Sequence, residues 1–204
     1  IYTLEAFQNH PDIDAIAVVC LDGWHHVLDV YAKQFNITKL KYIVSGGDNG
    51  QASIRNGVYE LEKHFSPDDI VLIHDAIRPM VSQEIISDCI RVTKEKGNAI
   101  TVIPCAEAML VSESQTDSTE IYNRDHLKRT QTPQAFYIKD ICDLHREAIE
   151  KGILNSVASC TLMVELGKEV YFSKASEKNV KLTTVEDLDI FKALLTLKRS
   201  EWLR

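Results

Sequence analysis

Short apolar runs bounded by turn signals alternate along the chain with longer segments of helical spacing. The runs lie at residues 15–20, 42–44, 70–74 and 99–104. Between them, "WHHVLDVYAKQF", "QASIRNGVYELEKHF" and "SQEIISDCIRVTKEKG" repeat apolar residues three and four positions apart. The last segment opens with a serine suited to capping a helix and ends on a glycine. This alternation predicts an α/β fold with a mostly parallel, doubly wound sheet.

The pattern changes between Glu107 and Gln134. The stretch "EAMLVSESQTDSTEIYNRDHLKRTQTPQ" has no glycine and no sustained helical period. Because an excursion of this length is uncommon as a plain loop, the sequence predicts a β-arm at about residues 106–134 that projects toward a partner subunit. Beyond it we expect two helices, a strand in "EVYFSKA", a short strand carrying Lys181, and a final helix capped by Thr183 or Thr184.

Composition bounds the size and the class of the protein. The 204 residues are 45% hydrophobic and 26% charged, which suits one domain spanning residues 1–204. The formal net charge of −7 argues against a nucleic-acid partner. Five cysteines sit mostly in apolar runs without a CxxC pair, which indicates reduced thiols and a cytoplasmic protein. No apolar run reaches the ~20 residues of a membrane span.

The first candidate site is the stretch "SGGDNGQASIRNGV". Gly46 and Gly47 follow a strand, and a helix is predicted to begin at Gln51 or Ala52. Glycines let backbone N–H groups approach a ligand, and a helix N-terminus favours negative or electron-rich groups. A flexible turn is the alternative. The stretch is neither a dinucleotide fingerprint nor a P-loop, which argues against an oxidoreductase.

The second candidate site is "HDAIRP", at the end of a strand. Asp75 suits ribose hydroxyls or a metal bound to phosphates, and Arg78 suits an anion or a carboxylate that locks the loop. A purely structural pair of these two residues is the alternative. We interpret His74 as packing at the strand end, and His25 with His26 as a solvated helix face.

Basic residues cluster in "NRDHLKRTQTPQAF". Arg124, Lys128 and Arg129 stand out in an acidic protein. Such a cluster is commonly a solvated face, but its place in the arm favours a contact between at least one arginine and a phosphate.

Four motifs occur in one order: "GGDNGQASIRNG", "VLIHDAIRP", "TPQAF" and "NVKLTTVEDL". From residue 1 to about 196, the sequence resembles the cytidylyltransferases that make CDP-activated polyols, which include methylerythritol-phosphate and ribitol-5-phosphate cytidylyltransferases. The resemblance implies a Rossmann-like nucleotidyltransferase fold and a homodimer joined by the arm. It also implies Mg²⁺-dependent transfer of CMP from CTP to a polyol phosphate with release of pyrophosphate.

The resemblance also implies roles for individual residues. The cytosine pocket would be formed by Gly46, Gly47, Asp48 and Ser53. Asp75 and Ala76 would hold the ribose and the Mg-nucleotide, with Asp75 toward the metal and Arg78 bracing the loop. Arg124 would reach into the neighbouring subunit and hold the polyol phosphate, and Lys181 would steady the phosphates in the transition state. Asp75, Arg124 and Lys181 are therefore the predicted catalytic residues.

The sequence departs from the family pattern in several places. The family's first strand and Gly-rich loop would precede Ile1, so we expect a stretch that lacks its natural beginning and a central strand. Relatives commonly show Asp-Thr where this chain has Glu107-Ala108, and Thr-Asp where it has Val157-Ala158. Many carry arginine at the position of Gly50.

Because the two altered pairs face the polyol in the family, we favour ribitol 5-phosphate over methylerythritol 4-phosphate as the acceptor. A non-catalytic relative that binds nucleotide or serves in dimerisation is the second hypothesis. The third is a nucleotidyltransferase that uses another base or sugar phosphate.

Overall fold

The computed structural model describes residues 1–114 and 116–201, with side chains described up to residue 197. Gln115 of the predicted arm and residues 202–204 of the predicted domain lie outside the described residues. The helices are α1 (Tyr2–Gln8), α2 (His25–Gln34), α3 (Gly50–Glu62), α4 (Gln83–Lys96), α5 (Ile138–Glu150), α6 (Ser159–Glu165) and α7 (Val185–Glu201). The strands are β1 (Ile16–Cys20), β2 (Leu40–Ser45), β3 (Ile70–Ile73), β4 (Asn98–Pro104), β5 (Met109–Val111), β6 (Glu120–Tyr122), β7 (Lys128–Tyr137) and β8 (Phe172–Lys174).

The strands of the main body are mostly parallel, as predicted for an α/β fold. Strands β1 and β2 form a parallel pair. A four-stranded sheet follows in the order β3-β7-β4-β8, in which β7 is antiparallel to both of its neighbours and β8 is parallel to β4. Within residues 1–114 and 116–201, no strand is hydrogen-bonded to both of these sheets.

The predicted arm is wrong at its carboxyl boundary. The hairpin of β5 and β6 and a 3₁₀ turn at Arg124–His126 do leave the main body, but β7 begins at Lys128 and lies between β3 and β4. Proline argues against a central strand because it cannot donate to the ladder. Here Pro133 falls where the register between β4 and β7 is irregular, so the missing donor is accommodated. The segment ending in "TPQ" is therefore part of the central sheet.

The core lies between the four-stranded sheet and the helices that follow each strand. One apolar cluster joins α3 and α5 to the sheet, with Phe136, Ile100 and Ile141 at most 1% exposed. Each such side chain stabilises the fold by about 1.5–3 kcal/mol through burial. A second cluster packs Phe7 and Ile86 against partly buried residues of both β1 and β3, so it holds the two sheets together without a shared strand.

The helix ends agree with the sequence signals. Ser82 caps α4, and Gly97 ends it with φ 92°, a left-handed conformation that favours glycine. Thr184 accepts a bond from the backbone N–H of Asp187, which confirms it as the cap of α7. In return, the Asp187 carboxylate accepts bonds from the backbone N–H groups of Thr183 and Thr184, which lower its pKa.

Three further features correct or extend the sequence predictions. The short strand predicted around Lys181 is wrong: the segment is irregular, because its neighbour is the loop after β3 and the backbone bond between them is Leu182 N–H to the Ile77 carbonyl, at 2.8 Å. All five cysteines are free thiols. Among the described residues, no helix is both long and apolar enough to cross a bilayer.

Candidate functional site

The carboxylate of Asp75 lies just beyond the end of β3 and is shared by two cations. Its Oδ2 atom is 3.0 Å from Nε of Arg78 and 3.3 Å from Nζ of Lys181. The backbone N–H of Asp75 donates to Oγ1 of Thr132 on β7, at 3.0 Å. Residues far apart in sequence thus meet at the carboxyl end of β3, and ligands in open α/β sheets bind at the carboxyl ends of strands.

Arg78 is held more firmly than an ordinary surface arginine. Its side chain is 11% exposed, and Nη1 donates to the Asn179 carbonyl at 2.8 Å. Its backbone N–H closes a turn onto the Asp75 carbonyl. The predicted pairing of Arg78 with Asp75 is therefore present, and it links the loop after β3 to the segment before α7.

His74 packs beneath this loop, between Phe7 and the Arg78 carbonyl, in agreement with the predicted packing role. Its ring centroid lies 5.0 Å from that of Phe7, and Nε2 is 3.1 Å from the Arg78 carbonyl. Burial lowers the pKa of His74 to about 4, so the ring is neutral near pH 7. Because its partner is a carbonyl, Nε2 carries the proton and donates it.

A second group of predicted residues forms the turn between β2 and α3. Oδ1 of Asn49 accepts the Ala52 N–H at 2.9 Å and so caps α3. A Cβ added at Gly47 would lie 2.5 Å from Cβ of Ala52, so only glycine lets the turn pass this close to the helix. Nothing lies within 4 Å of a Cβ added at Gly50, which leaves that position open to a side chain.

The N–H groups of this turn are not the free donors that the sequence suggested. The N–H of Gly46 donates to the Cys20 carbonyl at 2.9 Å, and that of Gly47 donates to Oγ of Ser53 at 3.0 Å. The carbonyl oxygens of both glycines receive no hydrogen bond from residues 1–114 and 116–201. The turn therefore offers acceptors, together with the hydroxyl of Ser53 and the exposed carboxylate of Asp48.

The remaining predicted residues lie apart from these two groups. Arg124 is exposed in the 3₁₀ turn of the arm and donates to the carbonyl of Ala106 in its own chain. The structure does not bring it to Asp75 or Lys181. Ala76 is exposed, and its carbonyl accepts a bond from Oγ1 of Thr3 at 2.6 Å.

The comparisons with known proteins agree on one family. The family described as 2-C-methyl-D-erythritol 4-phosphate cytidylyltransferase matches residues 1–197. A ribitol-5-phosphate cytidylyltransferase of Lacticaseibacillus paracasei is 42% identical over 200 residues, which cover 97% of this chain and 86% of the relative. One from Vibrio parahaemolyticus is 37% identical over 195 residues, with coverage of 96% and 82%.

This chain belongs to that cytidylyltransferase family. Solved structures show the same fold. A 4-diphosphocytidyl-2C-methyl-D-erythritol synthase has a TM-score of 0.82 at 22% identity and covers 95% of this chain and 88% of its own. The methylerythritol 4-phosphate enzyme of Thermus thermophilus has a TM-score of 0.78 at 25% identity, with coverage of 96% and 87%. The predicted Rossmann-like nucleotidyltransferase fold is confirmed.

The cytidylyltransferase reading raises the question of a Mg²⁺ site. Within the part of the chain that the structure describes, no three His, Cys, Asp or Glu side chains are grouped as metal ligands. Oδ1 of Asp75 has no hydrogen-bond partner among those residues, whereas Oδ2 faces the two cations. One open carboxylate oxygen fits Mg²⁺, which proteins commonly bind through one or two carboxylates together with substrate phosphates and water.

Most of the altered family positions are at the surface, whereas Ala158 is partly buried and packs against the core. Val157 is 94% exposed, and both Glu107 and Ala108 are exposed. The loop that carries Val157 is held by the buried Gln51, whose side chain bonds the Ile153 carbonyl at 2.7 Å and the Ser156 N–H at 2.6 Å. Glu107, Ala108 and Val157 are therefore free to contact a ligand or a second subunit.

Sequence reasoning missed several residues that shape the site. Thr132 orients Asp75, and Asn179 orients Arg78. Thr132 and Asn179 lie within motifs that carry the family resemblance, but the resemblance gave neither residue a role. His25 was interpreted as a solvated side chain, but its Nε2 lies 3.2 Å from Oγ of Ser45. That hydroxyl also donates to Asp22 at 2.6 Å, which ties the loop after β1 to the end of β2. Only the fold brings these three side chains together.

Proposed function

We propose that this protein transfers CMP from CTP to ribitol 5-phosphate and releases pyrophosphate. The observation that carries the proposal is the shared carboxylate, in which Asp75 aligns Lys181 and Arg78 at the carboxyl end of β3. The curated ribitol-5-phosphate cytidylyltransferases that resemble the chain over most of its length support the same reaction.

The chemistry asks for positive charge and alignment. An oxygen of the acceptor's phosphate forms a bond to the α-phosphorus of CTP while the bond from that phosphorus to the pyrophosphate oxygen breaks. Lys181 is placed to stabilise charge on the phosphate oxygens, and Arg78 keeps the loop in position. Asp75 would hold Mg²⁺ through Oδ1, and the bound ion would neutralise phosphate charge.

The turn after β2 fits a cytosine base. Cytosine carries an exocyclic amino group, which donates hydrogen bonds, and the open carbonyl oxygens of Gly46 and Gly47 are acceptors. Uracil presents a carbonyl oxygen at the same place, which would face these acceptors unpaired. We therefore expect a preference for CTP over UTP.

The alternative acceptor is methylerythritol 4-phosphate. It is favoured by the description of the matching family and by the solved structures that share the fold. Ribitol 5-phosphate is preferred because several curated ribitol-5-phosphate cytidylyltransferases are 33–42% identical to the chain over most of its length. A non-catalytic relative is less well supported, since Asp75, Arg124 and Lys181 are all present.

We also propose that the arm joins two copies of the chain. Apolar side chains are exposed on both strands of the hairpin, including Leu110 at 64% and Ile121 at 80%. Such a surface is typical of a protein contact. Ile121→Glu should convert dimers to monomers in light scattering, whereas Thr119→Glu in the neighbouring loop should leave the mass unchanged. Monomeric wild-type protein at micromolar concentration would contradict the proposal.

The decisive assay measures pyrophosphate release with Mg²⁺ and CTP. We expect release with ribitol 5-phosphate, slower release with methylerythritol 4-phosphate, and none without an acceptor. Omitting Mg²⁺ should abolish turnover. Faster release with methylerythritol 4-phosphate would reverse the order of the two acceptors. No release with either would overturn the enzymatic proposal. A cytoplasmic location stays a prediction from the free cysteines.

A further inference from the structure

A cleft of about 280 Å³ opens beside Asp75, and we refer to it as the β7 cleft. It lies where β3 and β4 end and where β7 begins, so it occupies the same edge of the sheet as the candidate site. Its polar lining includes Arg78, Arg129, Gln131, Glu177, Asn179 and Lys181. Two of these, Arg78 and Lys181, are also the partners of Asp75.

The charge of the β7 cleft favours an anion. Three cationic side chains line it against one carboxylate, that of Glu177, in a protein whose formal net charge is −7. Arg78 already forms an ion pair with Asp75 and a hydrogen bond to the Asn179 carbonyl. Arg129 is different, because its described partner is Glu177 and both side chains are well exposed, at 48% and 68%. Exposed ion pairs contribute little to stability, so this arginine can exchange partners at small cost.

The floor of the cleft is polar and rigid. Gln131 and Asn179 are buried, and Nδ2 of Asn179 donates to Oε1 of Gln131 at 2.9 Å and to the Thr132 carbonyl at 2.9 Å. Among the described residues, Oδ1 of Asn179 accepts no hydrogen bond although the residue is fully buried. A buried acceptor without a donor is costly, and this oxygen lies beneath the floor of the cleft, closed to solvent.

These features together match a molecule that carries both a phosphate and hydroxyl groups. We propose that Arg129 is a further binding residue for the phosphate of the polyol acceptor, and that Glu177 occupies Arg129 while the cleft is empty. This inference rests on the proposed function and extends it. It adds a cation from the same chain as Asp75, to which the family resemblance gave no role. The guanidinium is suited to bidentate contact with a phosphate.

Two variants of neighbouring residues separate this role from general charge effects. Arg129→Ala should raise the acceptor KM about tenfold or more, since hydrogen bonds to charged groups are the strong ones. Lys128→Ala removes the same charge one position earlier, where the side chain leaves the strand on the opposite face, and should change the acceptor KM less than about twofold. Glu177→Gln should lower the acceptor KM by about two- to fivefold because the competing carboxylate is gone.

The same anion site could bind the phosphate of the acceptor or the triphosphate of CTP. The KM values for the two substrates distinguish these two cases. If Arg129 serves the acceptor, the CTP KM and inhibition by pyrophosphate stay unchanged in Arg129→Ala. A rise in the CTP KM with no change for the acceptor would overturn the assignment and place Arg129 at the triphosphate. Equal KM values in Arg129→Ala and wild type would overturn it as well.

A binding measurement keeps the inference testable apart from catalysis. Calorimetry with ribitol 5-phosphate alone should show weaker binding to Arg129→Ala by the same factor, with Lys128→Ala close to wild type. If wild-type protein binds ribitol 5-phosphate but releases no pyrophosphate, the proposed function fails while the site stands. Equal binding by Arg129→Ala and wild type refutes the site, whatever the activity.

Discussion

The edge of the sheet at Asp75 and the arm are built in opposite ways. At the edge, Asp75 is fixed by contacts from β7, from its own loop and from the segment before α7. In the arm, two strands of three residues each pair with one another, and Met109, Leu110 and Ile121 remain exposed. A short two-stranded hairpin with no buried face is marginally stable by itself.

The difference shows which part of the function a single chain prepares in advance. Preorganised charges stabilise a transition state at no cost of rearrangement, and the Asp75 edge has that character. The arm has an apolar surface that needs a counterpart and an arginine whose described bond is to its own backbone. Under the proposed function, one chain would supply Asp75, Lys181 and Arg129, and association would add Arg124 of the arm to the acceptor.

The largest expected effect comes from breaking the preformed edge. Asp75→Asn keeps the shape of the side chain but removes the charge that aligns Lys181 and Arg78. We expect kcat to fall by about 10²–10³, as for other lost electrostatic stabilisation. Circular dichroism should be unchanged, which separates this loss from unfolding. A kcat within threefold of wild type would show that the edge is structural only.

A mixing experiment tests whether the arm acts across subunits. Arg124→Ala and Lys181→Ala should each be nearly inactive alone. If Arg124 serves the partner's site, half of the dimers formed on mixing and re-associating equal amounts contain one intact site, so about a quarter of wild-type activity returns. If it serves its own site, no activity returns. Mixing Lys181→Ala with Asp75→Asn, both at the edge of one chain, should restore none and is the matched control.

Acid should weaken the body that supports the edge. Burial lowers the pKa of both His74 and His145 to about 4, from an ordinary value near 6.5. The unfolded chain then binds protons that the folded chain refuses, so stability is complete above about pH 6.5 and falls toward pH 4. Between pH 6.5 and 5 the free energy of unfolding should drop by about 1.5 kcal/mol for each histidine. The free energy of unfolding of His145→Leu, measured with urea at several pH values, should fall less steeply with decreasing pH than that of the wild type. An unchanged dependence on pH would contradict this account.

The smallest effects should come from the turn that precedes α3. Gly47→Ala forces a Cβ against Ala52, so we expect a loss of about 1–3 kcal/mol in the free energy of unfolding and a higher CTP KM. Gly50→Ala meets open space in the first turn of α3 and should be neutral or stabilising by about 0.5 kcal/mol. Denaturant unfolding of the pair measures both. Equal losses would refute the close approach at Gly47.

The sequence predicted those elements that are fixed by local signals. Alternating apolar runs located β1 to β4, and Ser82, Gly97 and Thr184 marked helix ends through bonds made within a few residues. Strand β7 was missed because its identity depends on pairing with β3 and β4, while its own proline argued against a central position. The pattern of apolar and polar residues along a strand does not predict which distant strand pairs with it.

The same distinction applies to the site. Asp75 and Arg78 are three residues apart, so their contact was foreseeable from a turn. The contact of Asp75 with Lys181 came from family resemblance, since no local pattern joins residues so far apart. Thr132, Asn179 and the link of Asp22 to Ser45 depend on side-chain directions that only the packed fold defines.

Strand β7 connects the two regions in a further sense. It runs from the foot of the arm, through the irregular register beside Pro133, to the Thr132 hydroxyl that accepts the backbone N–H of Asp75. A displacement at the foot of the arm would therefore reach the Asp75 loop through one continuous segment of backbone. Where two chains clasp one another through the arm, linkage requires the effect to be mutual: whatever factor pairing adds to the affinity for substrate, substrate adds to the affinity of pairing. The oligomer should then grow more resistant to dilution when the nucleotide is bound.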